Sequence, residues 1–83
     1  MVPKVALISI SNFVLKGNTY EELLQRFTEF SIDYNFRKLI LYGKYDTISY
    51  SKEYTDEEFK KEIYKRCIEL MVRDYGWTLY QKV

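Results

Sequence analysis

The chain has 83 residues, 13 Lys and Arg against 12 Asp and Glu, and no histidine. That length makes one small domain, residues 1–83, with a core thin enough that association would be a natural supplement to its stability. A net charge of +1 gives no electrostatic case for duplex DNA or an anionic membrane, and the lack of histidine removes the commonest general base and metal ligand.

A single cysteine, Cys67, cannot close an internal disulfide and fits a reducing cytoplasm. Nine tyrosines, with many Lys and Ile, suggest an AT-rich coding sequence of the kind found in some phage and archaeal-virus accessory proteins.

In chain order, Lys4 to Asn12 alternates as a strand. Ala6, Ile8 and Ile10 fall on one face, with Val5, Leu7, Ser9 and Ser11 on the other. The apolar run through Leu15 is short, broken by serines and followed by no cleavage pattern, so a buried strand is expected here rather than a leader.

Lys16-Gly17-Asn18 reads as a loop. Thr19 with Glu22 then forms a capping box, and Tyr20, Leu23, Leu24, Phe27, Phe30 and Tyr34 follow helical spacing over about four turns. Asp33 to Phe36 is the exit loop.

Arg37 to Tyr54 reads as a hairpin, the centre of the chain, folding back at Gly43-Lys44 in a type II′ turn. That turn pairs Leu41 with Asp46, Leu39 with Ile48 and Arg37 with Tyr50. Leu39, Leu41, Ile48 and Tyr50 share the core face, and Lys38, Ile40, Tyr42, Thr47, Ser49 and Ser51 share the other.

Thr55 and Glu58 make a second capping box, with acids at the positive end of a helix. Phe59, Ile63, Cys67, Leu70 and Met71 form its buried stripe. Glu57–Lys61, Glu62–Arg66 and Glu69–Arg73 stand at favourable i, i+4 spacing. Gly76 suits a left-handed cap, and Trp77 to Val83 is a last strand with Trp77 and Leu79 on its inner face.

The order strand, helix, strand, strand, helix, strand predicts a ferredoxin-like βαββαβ fold, a four-stranded antiparallel sheet with both helices on one face. The uncovered face would carry Leu7, Ser9, Ile40, Tyr42, Ser49 and Tyr80. These are the candidate partner-binding residues for protein contact, either with a second copy in a homodimer or with another protein. The expected function is binding without catalysis, cofactor or metal.

The alternative is a single-stranded RNA platform of Lys38, Tyr42, Tyr45, Tyr80 and Lys82, with Lys44 contributing charge. Ile8-Ser9-Ile10-Ser11-Asn12-Phe13 resembles the first-strand motif of the RRM family, and Lys44-Tyr45-Asp46-Thr47-Ile48-Ser49-Tyr50 resembles its third-strand motif. The two motifs cover about a sixth of the chain. The resemblance implies base stacking at Ser9, Tyr45 and Thr47, of which only Tyr45 is aromatic, and Asp46 stands where the family has a small residue.

Enzyme patterns of the same topology do not match. Lys16-Gly17-Asn18 lacks the glycine-rich phosphate loop and arginine of acylphosphatases, and Ser11-Asn12 stands where a CRISPR-associated nuclease carries an aspartate. Asp56, Glu57 and Glu58 read as helix-start acids and not as a metal cluster. Cys67, mid-helix on the apolar stripe, reads as a buried thiol. Lys60, Lys61, Lys65 and Arg66 read as a solvated basic run, flanked by Tyr64 and Tyr75.

Overall fold

A computed structural model describes residues 3–47 and 55–82. It is an α+β protein with two helices and two three-stranded antiparallel sheets. The first sheet has the order β2-β1-β6, from β1 (Val5–Ile8), β2 (Val14–Gly17) and β6 (Thr78–Gln81). The second has the order β3-β4-β5, from β3 (Phe30–Asp33), β4 (Lys38–Leu41) and β5 (Lys44–Thr47). Helix α1 (Tyr20–Leu24) and helix α2 (Asp56–Asp74) complete it. Among the described residues these two sheets replace the single four-stranded ferredoxin-like sheet expected from the sequence.

Two local events cause the difference. The first is a chain reversal after Ile8. The Ser9 N–H donates to the Phe13 carbonyl at 2.9 Å, the Ser9 hydroxyl accepts from the Phe13 N–H at 2.9 Å, and Asn12 takes a left-handed φ of 66°. Asparagine tolerates that conformation better than most residues. One expected long strand therefore becomes a hairpin in which Ile8 faces Val14 and Leu7 faces Leu15.

The second event is the early end of the first helix. Its cap is as expected: Thr19 Oγ1 accepts from the Glu22 N–H at 3.1 Å. The Glu22 carboxylate accepts from the Asn18 N–H at 2.7 Å, one residue earlier than in an ordinary capping box. The helix nevertheless stops at Leu24. Beyond it, Thr28, Phe30, Ser31, Ile32 and Asp33 are all mediocre helix formers. Phe30 and Ile32 alternate with polar neighbours, and pairing with Leu41 and Leu39 of β4 wins over the helical reading of the same residues.

The β4–β5 hairpin has the expected facing but a different turn. Leu41 pairs with Lys44 and Leu39 with Asp46, so the two loop residues are Tyr42 and Gly43. Their φ values of 52° and 76° make this a type I′ turn, whose twist matches that of the flanking strands. The register has moved by two residues, so Leu39 and Leu41 still point into the core. The expected partners Ile48 and Tyr50 lie outside the described residues.

Helix α2 matches its expected stripe: Phe59, Ile63, Cys67, Leu70 and Met71 are buried, together with Ile68. Thr55 and Glu58 form both bonds of the capping box, at 3.2 and 3.1 Å. Gly76 ends the helix at φ 74°, and the Met71 carbonyl accepts from both the Tyr75 and Trp77 N–H groups. The three expected i, i+4 ion pairs are not among those observed. Arg66 reaches instead to Asp46 of β5 at 3.4 Å and to Glu69 at 3.5 Å, and Arg73 pairs with Asp74.

One core draws on both sheets and both helices, with Leu7, Leu23, Leu39, Phe59, Ile63, Cys67 and Met71 the most deeply buried. Helix α1 packs on β1 and β2, and α2 packs on α1 and β4. An aromatic cluster joins the sheets. Trp77, entering β6, stacks edge-on against Phe27 at 5.7 Å, and Phe27 meets Tyr42 at 5.8 Å. The Trp77 indole N–H donates to the Tyr42 hydroxyl at 3.0 Å. Tyr75 lies on Tyr42 with ring centres 4.5 Å apart, and Tyr64 lies on Phe30 at 5.6 Å. Both flanking tyrosines of the basic run are thus packing residues.

Candidate functional site: the outer faces of the two sheets

In β1 the inward residue is Leu7, 0% exposed, in a row with Leu15 and Leu79. This reverses the expected facing, and Leu7 leaves the set of surface candidates for the core. The alternation of apolar residues marks two faces of a strand but does not say which is covered. Here α1 covers the side of Leu7 and Leu15.

The outer face of the first sheet is built from the alternate residues. Register places Val14, Ile8 and Thr78 in one row and Lys16, Ala6 and Tyr80 in the next. The Lys82 N–H donates to the Lys4 carbonyl at 2.7 Å, which sets Lys82 beside Lys4 in a third row. Val14 is 46% and Tyr80 55% exposed, Ala6 and Ile8 are half-buried, and the three lysines are exposed. In the turn that closes the β1–β2 hairpin, Ile10 is 82% and Phe13 60% exposed. Ser9 is half-buried in that turn, off the sheet face.

The outer face of the second sheet carries Ser31, Ile40 and Tyr45 in one row and Asp33 and Lys38 in the next. The Lys38 ammonium stands 5.8 Å from the Tyr45 ring centre, a cation–π arrangement. Tyr45 is 62% exposed, and Asp33, Phe36, Lys38 and Tyr45 line a shallow, open hollow of about 240 Å³.

The candidates therefore separate. Ile40, Lys38 and Tyr45 share one sheet face, while Tyr80 and Lys82 share the face of the other sheet. Tyr42 belongs to neither. It sits in the turn, half-buried and bonded to Trp77, so it is an anchor and not a stacking surface. Ser49 lies outside the described residues. The two segments that resemble RRM motifs also fall apart: Ile8 ends a strand of the first sheet, and Tyr45 lies on an edge strand of the second. The family's side-by-side platform is absent from this pair of strands.

Val14, Lys16 and Lys4 carry no signal in the sequence for their place on the first sheet's outer face: Val14 and Lys16 depend on β2, which appears only once the chain turns at Ser9–Phe13, and Lys4 depends on the facing of β1 beside β6.

Elsewhere, a groove of about 390 Å³ runs between the helices, lined by Tyr20, Tyr64, Lys60, Lys61 and Lys65 but also by Glu21 and Glu57. Its mixed charge favours no ligand class. Burial raises the Tyr64 phenol above its ordinary pKa, with Glu21 adding to the shift. Cys67 is 0% exposed and its thiol is pushed up to about 12 by burial, which leaves it no thiolate for chemistry near neutral pH. Among the described residues no three His, Cys, Asp or Glu side chains are grouped to hold a metal ion, and no helix is long and apolar enough to cross a membrane.

Compared with protein-family models, curated proteins and solved structures, the chain matches none of them.

Proposed function

We propose that this is a small non-catalytic binding protein that works through protein contact on the outer face of its first sheet. The observation that carries the reading is the uncovered apolar patch at one end of that face, with Val14 46% exposed and Ala6 and Ile8 half-buried. Ala6 and Ile8 of β1 and Val14 of β2 lie together, with Tyr80 of β6 beside them, and none of these is in the core. An apolar sheet face of this kind is normally covered by a helix, a second sheet or a partner. The occupant in this reading is another protein or a second copy.

The test is a pull-down from the native host with the wild-type chain and a Val14→Asp variant as baits. Val14 is a half-exposed edge residue, so the variant should fold, with a melting point within a few degrees of the wild type. A partner retained by the wild type and lost by Val14→Asp supports the reading. A partner retained equally by both places the contact elsewhere.

Single-stranded RNA is the second reading, favoured by Tyr80 lying on the same face as Lys4, Lys16 and Lys82. Three phosphate contacts give a salt slope near −2, so affinity should fall by about 20-fold between 50 and 200 mM salt. Filter binding measures it. Binding that ignores salt, or survives Tyr80→Ala unchanged, rejects it.

A further inference from the structure

We infer that the first sheet's outer face is shaped for an acidic amphipathic protein segment, and not for a second copy of this chain. The inference rests on the binding role proposed above and names the chemistry of its partner.

Charge on this face is segregated. Its outward positions hold Lys4, Lys16 and Lys82 and no Asp or Glu, although the whole chain is nearly neutral at +1. Among the described residues none of the three lysines has a carboxylate within ion-pair distance, the cations so engaged being Arg37, Arg66 and Arg73. Glu22, close to the end of β2, is held on the Asn18 N–H.

The face is also graded along the strands. Val14 and Ile8 form the apolar end, Lys4 and Lys82 the cationic end, and Lys16 and Tyr80 the row between. Successive rows are two residues, about 7 Å, apart.

Two copies meeting face to face would bring six lysines into one contact without a compensating acid. That repulsion grows as water is excluded. RNA would find one aromatic ring on the face, Tyr80, amid aliphatic side chains that cannot stack a base. A protein segment that seats apolar side chains on Ile8 and Val14 and aims carboxylates at the lysines satisfies both ends. An amphipathic helix does so naturally, because residues i and i+4 are about 6 Å apart along its axis.

The probe is a synthetic helical peptide of Leu, Ala and Glu whose apolar stripe ends in glutamates. It is compared with the same peptide carrying Lys for Glu and with a ten-nucleotide oligouridylate. Each is titrated into the full isotope-labelled chain and followed by amide chemical shifts, with sedimentation of the protein alone in parallel. The glutamate peptide should shift the amides of β1, β2 and β6 and bind at least 10-fold tighter than the lysine peptide. The combined K4E, K16E and K82E variant, changed only at exposed positions, should reverse that preference.

Equal binding of the two peptides at these strands overturns the inference but leaves the face a binding surface. Tighter binding of oligouridylate overturns it in favour of nucleic acid. Dimerisation that broadens the same amides overturns it in favour of a second copy. No shift at these strands from any probe, with the protein monomeric, removes the underlying reading as well.

Discussion

Gly17, the last residue of β2, is where the first sheet meets the first helix, and replacing it with alanine tests that docking. A Cβ built there would stand 2.7 Å from the Leu23 backbone nitrogen, 2.8 Å from Glu22 Cβ and 3.0 Å from the Glu22 carbonyl carbon. These atoms belong to the first turn of α1, where the Leu23 N–H is already engaged by the Thr19 carbonyl at 2.9 Å. No flexible side-chain tip can yield, so strand and helix must separate. Overpacking of this kind costs about 1–3 kcal/mol, and losing glycine's extra freedom in the unfolded chain returns about 0.4–1 kcal/mol. The net loss is about 1–2 kcal/mol, or a fall in melting temperature of roughly 5–15 °C for a domain of this size.

Gly43→Ala is the control. It has the strained φ of 76° but nothing within 4 Å of the added atom, so it loses only about 1 kcal/mol to backbone strain. Far-ultraviolet circular dichroism melts of the two variants and the wild type give the comparison. If Gly17→Ala melts at or above the wild-type temperature, α1 does not rest on β2 as described, and the assignment of the covered face of the first sheet falls with it.

Tyr42→Phe removes the acceptor of the Trp77 indole N–H in a partly buried setting, and urea unfolding should show a loss of about 1–2 kcal/mol. Thr55→Ala deletes one bond of the α2 capping box and should cost about 1 kcal/mol in the same assay. Cys67 should be inert to a thiol reagent in the native protein at pH 8 and react once the chain is unfolded. Because its folded pKa is raised to about 12, the unfolded state gives up this proton first as pH rises. Stability should therefore decline from about pH 9 upward, with Tyr64 contributing in the same direction. A Cys67→Ala variant whose urea midpoint falls just as steeply between pH 8 and 10 would contradict the cysteine's part.

Much of the secondary structure could be read from the residues. The α2 stripe, both capping threonines, the Gly76 cap, and the facing of β4 and β6 follow from spacing and residue type. The failures have specific causes. Phe27, Phe30 and Tyr34 fit a helical period, while Phe30 and Ile32 equally fit a strand period, and only pairing with Leu39 and Leu41 decides between them. The reversal at Ser9–Phe13 uses Asn12 at positive φ in place of a glycine, and its turn residues Ser9, Ser11 and Asn12 are obscured because the strand alternation runs through them unbroken. Missing that turn hid β2 and inverted the facing of β1, because Val5 and Leu7 are as apolar as Ala6 and Ile8. Tyr42 departs from its sequence expectation for a related reason: a tyrosine in a left-handed turn position gains nothing from its backbone and is held there by Trp77, Phe27 and Tyr75. For the site, Ile40, Tyr80 and Lys82 were recognisable as outward residues, whereas Lys4, Val14 and Lys16 acquire their role only from strand pairing.

The chain contains one tryptophan, and it sits one residue before β6 with its ring against Phe13, Phe27 and the Tyr42 hydroxyl. Its emission is therefore a native optical gauge, needing no label, of the joint between the two sheets. A displacement of β6 that moves this ring relative to Phe27 or the Tyr42 hydroxyl changes its colour or brightness, so the molecule supplies its own read-out of that joint.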